Sequence, residues 1–295
     1  MNPQDVVDLL RCTGCVIAVV SASVAKADDG GGAAVSIGSN GVVTLLAPVS
    51  ISGRSAKLVG VADSATEGTI TAQQLATRPL LRAAEVLESV PGMTVTQHSG
   101  DGKANQYFLR GFNLDHGSDF ASFVNGMPIN NVSHVHGQGY TDLNFLIPEL
   151  VSTVRYRKGS YSAEDSDFVV TGVAYIDYAR SLHSPLVDLT VGSFNYRRAL
   201  AAGSTQLNGE LTLLGAIELG STDGPWVQAE QLRKMNAVLR LSSGTTANGF
   251  SLTGITYGSH WTSTEEVPER AIKNGEIGRY GTLGPSDGGL LRNTI

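Results

Sequence analysis

From Leu186 onward the chain follows a two-residue repeat, and that repeat limits the folds open to it. Leu211, Leu213, Ile217 and Leu219 are apolar, while Glu210, Thr212 and Glu218 are polar. Successive side chains of a strand point to opposite faces, so such a segment has one wet and one dry side. Val187, Leu189 and Val191 alternate likewise with Asp188 and Thr190, and the phase slips at 192–195, a hairpin tip. The next strand carries Tyr196, Arg198, Leu200 and Ala202, with Arg198 ill-placed on an apolar face. Strands at 235–242 and 250–259 follow, joined by the short turn 243–249. The connection 205–209 is also short, whereas 221–234 is long. Alternating short and long connections suit a transmembrane β-barrel, yet a soluble sandwich with one wet face would alternate too. Periodicity alone leaves both open.

Composition narrows the class. Of 295 residues only 16% are charged and 35 are Gly, so small polar residues carry the polarity, as in turn-rich β-structure. A net charge of -6 without a Lys/Arg run gives no footprint for nucleic acid. No apolar run beyond the N-terminus approaches the ~20 residues of a membrane helix, so any insertion into lipid would use strands. Both cysteines, Cys12 and Cys15, lie near the N-terminus. There Arg11, the apolar run 12–25 and Ala25-Lys26-Ala27 read as a secretory signal over residues 1–27, leaving no disulfide framework after cleavage. Residues 28–70 read as a flexible segment, Gly/Ala/Ser-rich at first and then β-prone in VVTLLAPVSISG.

Residues 71–180 combine helix and strand signals. Thr71-Ala-Gln-Gln74 has capping-box form and predicts a short helix. A second helix is expected over 81–89, with Ala83, Val86, Leu87 and Val90 as its apolar stripe and Pro91-Gly92 as its stop. Strands are expected at 94–97, 106–109, 120–124, 151–157 and 169–178, with a tight hairpin turn at Asn125-Gly126 and a short helical turn within 143–150.

Several fragments of this stretch together carry a family resemblance: the 84–92 helix end, QYFLRGFNLDHGSDF, the 125–131 turn, HGQGYTDLNFLIPEL and KGSYSAEDSDF. They resemble the plug domain of TonB-dependent outer-membrane receptors, and the resemblance extends over roughly 45–295, including Thr222–Trp226 and Trp261–Ala271. Asn125 stands where many relatives carry Asp, and a hairpin turn accepts either. The implied fold is an α+β plug domain (mixed sheet with short helices) over 71–180, followed over 181–295 by the first antiparallel strands of a transmembrane β-barrel. Family barrels close with about twenty-two strands, so about five strands here imply the N-terminal part of a receptor, apparently truncated. An open edge cannot sit in lipid.

The resemblance also implies a location, partners and site residues. The location is the Gram-negative outer membrane, reached through the signal. Partners are a TonB-type energising protein, a scarce small solute such as a metal chelate of siderophore type, and outer-membrane lipid. No cofactor is expected. The energising partner would pair with an extended segment at Val49, Ser50 and Ile51, although a linker with β propensity would look the same. Loops 100–103, 113–119 and 130–140 would form the apical face that meets the solute, offering Asp101, Lys103, His116, Asp119, His134, His136, Gln138 and Tyr140. In an extended segment His134 and His136 put both rings on one side, a candidate metal pair with His116, Asp101, Asp115 and Asp119 nearby. Hydrogen bonding to the barrel wall, or turn capping, is the alternative for all of these. Arg110 is expected to be a buried charge that, with Lys158, Glu164 and Asp165, contributes to a polar, wet plug–barrel contact.

No catalytic pattern emerges. Gly111-Phe-Asn-Leu-Asp and Gly137-Gln-Gly139 lack the strand–turn–helix setting of a phosphate loop, and neither a G-x-S-x-G elbow nor an H-E-x-x-H helix is present. The expectation is a receptor and not an enzyme. A secreted β-rich binding protein, or a metal enzyme built on the His cluster, stands as the alternative.

Overall fold

The computed structural model describes residues 64–97, 100–165, 167–245, 248–264 and 267–281, with the backbone of four short strands at 16–21, 35–37, 43–45 and 291–294. Val49, Ser50 and Ile51 lie outside the described residues, as does Ala25-Lys26-Ala27. Of the short strands, β1 spans Val16–Ser21, and β2 (Val35–Ile37) pairs with β3 (Val43–Leu45).

Local sequence explains the mixed domain element by element. Strand β4 (Glu67–Thr71) ends where Gln74 accepts a hydrogen bond from the Thr71 N–H (3.2 Å), which starts helix α1 (Ala72–Leu75). The stripe Ala83, Val86, Leu87 and Val90 is buried, but the segment that carries it, Ala83–Ser89, is a 3-10 helix instead of an α-helix from Leu81. The Glu85 carboxylate accepts from the N–H groups of Leu81 (2.8 Å) and Arg82 (3.1 Å), holding both outside the helix. Pro91-Gly92 then reverses the chain, with Gly92 at φ +86 and the Met93 N–H donating to the Val90 carbonyl (3.0 Å).

Strands β5 (Met93–Thr96), β6 (Gln106–Leu109) and β7 (Phe112–Asn113) form a small antiparallel sheet. The β6–β7 link is the two-residue turn Arg110-Gly111, at φ +52 and +81. Arg110 is therefore exposed, which corrects the expected buried charge: a left-handed hairpin tip lies at the surface. Strand β8 (Phe120–Val124) turns through Asn125-Gly126, at φ +49 and +83, into β9 (Met127–Pro128). Strands β10 (Val151–Lys158) and β11 (Gly172–Tyr178) complete a five-stranded sheet in the order β4-β10-β11-β8-β9. Its pairs are antiparallel except β8 and β11, which run parallel.

The stretch 143–150 yields only the 3-10 turn Pro148–Leu150, and the strand expected from Val169 starts at Gly172. Leu143, Leu146, Ile147 and Leu150 are nevertheless buried in one core with Leu87, Leu114, Phe120, Val154 and Ile176.

Five long strands follow: β12 (Leu186–Val191), β13 (Arg197–Asn208), β14 (Leu211–Thr222), β15 (Leu232–Gly244) and β16 (Gly249–Ser263). Each pairs antiparallel with the next. Strand β1 lies along β16, and β17 (Leu291–Thr294) pairs with its far end. A short helix, α2 (Glu269–Lys273), follows β16. Connections 209–210 and 245–248 are short and define one end of the sheet; 223–231 is long and defines the other.

Alternation divides this sheet into two faces. Val187, Leu189, Val191, Ile217, Leu239 and Leu252 are exposed on one. Leu200, Ala202, Leu214, Ala216, Val238 and Ile255 are buried on the other and are continuous with the core of the mixed domain. In a soluble sandwich the outward face would be polar. Among the described residues the mixed domain covers one face, and the other is a bare apolar wall. No described helix is long and apolar enough to cross a membrane.

Candidate functional site: a charged seam and an apical loop cluster

The contact between the mixed domain and the strands is not uniformly polar as expected, because its centre is the shared apolar patch. Polar clasps surround that patch. At the short-turn end, Arg240 Nη1 donates to Asn125 Oδ1 and to the Tyr178 carbonyl (both 2.8 Å), and Asn125 Oδ1 also accepts from the Tyr178 N–H (2.9 Å). Nearby, Arg180 Nη1 donates to the carbonyls of Ser243 and Gly244 (both 3.1 Å).

Arg198, the misfit of the alternation, is the hub of a second clasp. It forks onto Glu149 (2.7 and 2.9 Å) and donates through Nε to Glu218 Oε1 (2.6 Å). Glu218 also meets Lys234 Nζ (3.2 Å) and Asn236 Nδ2 (2.6 Å). Bidentate, charge-assisted pairing of this kind justifies burying ionic groups.

The third clasp lies at the long-connection end. Glu230, buried in loop 223–231, accepts from the Asp101 N–H (3.2 Å) and from Thr264 Oγ1 (3.4 Å). Burial and the neighbouring Asp101 carboxylate push the Glu230 carboxyl up to about 7. Gly100 and Gly102, at φ +66 and +92, permit this approach: a Cβ on the first would collide with the Glu230 carboxylate, and on the second with the Trp261 ring. Loop 100–103 is thereby fixed to the long-connection end.

The other apical loops are tied to it. Ala104 N–H donates to the Tyr140 hydroxyl (3.1 Å), and the buried His116 bonds through Nδ1 to the Asn105 carbonyl (3.0 Å). Asn130 fastens 113–119 to 130–140: its Nδ2 donates to the carbonyls of Gly117 (3.0 Å), Phe120 (3.0 Å) and Gly139 (3.1 Å), and its Oδ1 accepts from the Ser122 N–H (2.8 Å). Gly117 and Gly139 sit at φ +103 and +83, where a Cβ would meet Thr141 and Ser118 respectively at 2.8 Å.

Within this cluster the residues singled out from sequence fall into distinct settings. Asp101 faces Arg82 Nε at 3.3 Å. Lys103 and Asp119 are half-buried, and their carbonyls accept from Asn144 Nδ2 (3.1 Å) and from Thr171 (2.8 Å to Oγ1). Gln138 is exposed. His134 stacks on Tyr140 with centroids 4.0 Å apart, and burial raises the Tyr140 phenol.

The expected His134–His136 metal pair is corrected. His134 Nδ1 accepts the N–H of His136 (3.2 Å), a local turn that an extended segment could not make. His136 meets His116 instead, edge-on with centroids 4.5 Å apart, and Asp115 lies beside both. His98 lies outside the described residues.

The residues expected at the plug–barrel contact are placed elsewhere. Arg110 is exposed, as above. Lys158 is buried, donates to the Pro91 carbonyl (3.4 Å), and has its pKa lowered by burial and by Arg110. Glu164 is exposed, whereas Asp165 is buried on Arg157 Nη1 (2.6 Å) and the Tyr175 hydroxyl (2.7 Å). Their segment packs within the mixed domain because β10 and β11 bring Arg157 and Tyr175 to it. Glu149, Asn125, Arg240 and Glu230 carry the contact instead, with Glu218 holding Arg198 from the strand side, and sequence reasoning missed them. Only the misplacement of Arg198 signalled that a charge partner was needed.

A mixed α+β domain seated on the inner face of long antiparallel strands, with an apolar wall outside, is the arrangement of a plugged barrel. Residues 61–173 match the family model described as the TonB-dependent receptor plug domain. Residues 61–173 thus form a plug domain of this family, and antiparallel strands follow it without closing into a barrel among the described residues. Among solved structures, the copper transporter OprC aligns with a TM-score of 0.52 at 16% identity, over 70% of this chain and 33% of that one. A variant of the ferric enterobactin receptor PfeA from Pseudomonas aeruginosa, in complex with enterobactin, aligns at 0.49 and 15%, over 72% and 36%. The pyoverdine outer membrane receptor FpvA from Pseudomonas aeruginosa PAO1, bound to pyoverdine, aligns at 0.48 and 16%, over 67% and 28%. The chain thus spans about a third of the length of the receptors it matches.

Proposed function

We propose that the chain supplies the plug and first barrel strands of an outer-membrane receptor that imports a scarce solute of the metal-chelate class. The observation that carries this reading is a folded plug clasped to strands of 12 to 15 residues, β13 to β16, whose opposite face is apolar. A tilted strand crosses the hydrocarbon with about 9–11 residues, so each has length to spare. The long-connection end then faces the outside, as outer loops do. The apical residues Asp101, Lys103, His116, Asp119, His134, His136, Gln138 and Tyr140 would meet the solute there. The solute class is supported by the names of the similar structures, a copper transporter and receptors for ferric enterobactin and pyoverdine.

The energising partner would add a strand to the segment at Val49, Ser50 and Ile51 beyond a cleaved signal over residues 1–27. Backbone pairing of that kind needs free N–H groups. The parent gene product, expressed in a Gram-negative host and fractionated, is expected in the detergent-resistant outer membrane and to support growth under metal restriction. Ile51→Pro should abolish that growth while leaving membrane recovery intact. Recovery of the parent protein in the soluble periplasm would overturn the reading.

A further inference from the structure

We infer that Asp115, His116 and His136 form a binding site for a divalent transition-metal cation, with one coordination position left to the incoming solute or water. The inference rests on the receptor reading only for the direction from which the metal arrives. Each residue offers one ligand atom, and the three atoms lie within 4.8 Å of one another. The Asp115 carboxylate stands between the rings, with Oδ1 3.8 Å from His116 Nε2 and Oδ2 3.7 Å from His136 Nε2.

His116 is 3% exposed, and its ring is oriented from behind. The Asn105 carbonyl can only accept, so Nδ1 carries the proton and Nε2 is the basic nitrogen turned toward Asp115. A ligating histidine is commonly held by such an outer hydrogen bond, which fixes its tautomer and raises its basicity. The surroundings are rigid: Thr141 N–H donates to the His116 carbonyl (2.8 Å), and Asn130 ties the loops that carry all three residues.

Asp115 and His136, with side chains 51% and 48% exposed, are free to adjust. Bonds of about 2.0–2.1 Å in a tetrahedron place donor atoms about 3.3 Å apart, so inward shifts of about 0.5–1.5 Å assemble the site. Two imidazole nitrogens and one carboxylate oxygen favour zinc, copper or nickel over magnesium or calcium. Three protein ligands leave the fourth position open, as a site that passes its metal onward requires. His134, stacked on Tyr140 with Nδ1 engaged by the His136 N–H, shapes the loop and does not ligate.

The test uses the full chain in detergent micelles, titrated calorimetrically with Zn2+ and Cu2+ and followed with Co2+ by visible absorption. His136→Ala and Asp115→Asn should each weaken binding about tenfold or more and remove the tetrahedral Co2+ bands. His183→Ala, at an exposed histidine away from the cluster, should change neither. His116→Ala is avoided because its ring is buried, and tryptophan emission confirms that the variants used are folded. Unchanged affinity in His136→Ala, or equal weakening in His183→Ala, would sink the inference. Absence of metal binding in the unaltered chain, with uptake intact, removes this inference alone. A metal-binding chain whose parent is soluble in the periplasm removes the receptor reading alone.

Discussion

Inside the plug, Leu87, Leu114, Leu146 and Ile147 are buried in a continuous apolar cluster, whereas the surface shared with the strands sets a small apolar patch among Arg198, Glu218, Glu149, Arg240 and Glu230. The two regions resist disturbance differently. Opening a dry core exposes apolar area at about 25 cal/mol per Å2 with nothing to replace it. Parting a polar seam lets water take up each broken hydrogen bond. A stopper built this way can be loosened from its wall while it stays folded.

The difference can be tested from both sides. The largest expected effect is at the seam: Glu218→Ala removes the strand carboxylate that holds Arg198 toward Glu149, and leaving Arg198 and Lys234 without it should cost about 3–5 kcal/mol. Protease sensitivity and hydrogen exchange should then rise along the seam while the plug core stays protected. Leu87→Ala, in the core, should cost the plug about 2–5 kcal/mol, read by denaturant unfolding, with protection lost throughout the plug. If the two variants show the same protection pattern, seam and core are one cooperative unit and the contrast fails.

A smaller effect follows from acidity. The folded Glu230 carboxyl keeps its proton up to about 7, while an unfolded one releases it near the usual ~4.3. The folded state therefore binds the extra proton between those values, so the clasp is firmest in acid and loses strength as pH rises across that window. Trp261, packed on Gly102 at the same clasp, offers the reporter. Unfolding followed by its emission should show a loss of about 1–3 kcal/mol between about pH 4 and pH 7, and Glu230→Gln should flatten it. The smallest effect belongs to the exposed pair Glu269 and Lys273, 2.8 Å apart on α2. Glu269→Ala should change stability by no more than about 0.5 kcal/mol.

Much of the backbone was legible in the sequence. Gln106–Leu109 and Phe120–Val124 are short apolar runs closed by residues that take left-handed φ, so both strands could be read to the residue. The stripe of the Ala83–Ser89 segment gave its buried face but not its winding, because seven residues do not separate i→i−3 from i→i−4 bonding. The site was harder. Glu230 reaches a backbone N–H 129 residues away, and Glu149 meets Arg198 across 49, separations that no local pattern encodes. Arg198 could be seen as an anomaly without its partner being visible. The His134–His136 spacing misled because it presumed an extended segment where the chain turns.

Asn125 joins three pieces of the molecule through one oxygen. Its backbone requires a left-handed residue, and Tyr178 and Arg240 require an acceptor, so a short side chain ending in oxygen satisfies both. Its amide nitrogen is buried without a partner among the described residues, and so is Arg240 Nε. Exchanging that idle NH2 for a second oxygen would turn a neutral tether into an ionic one without disturbing the bend. How firmly the stopper grips its wall is thus tunable by a single-atom change at the tip of one hairpin.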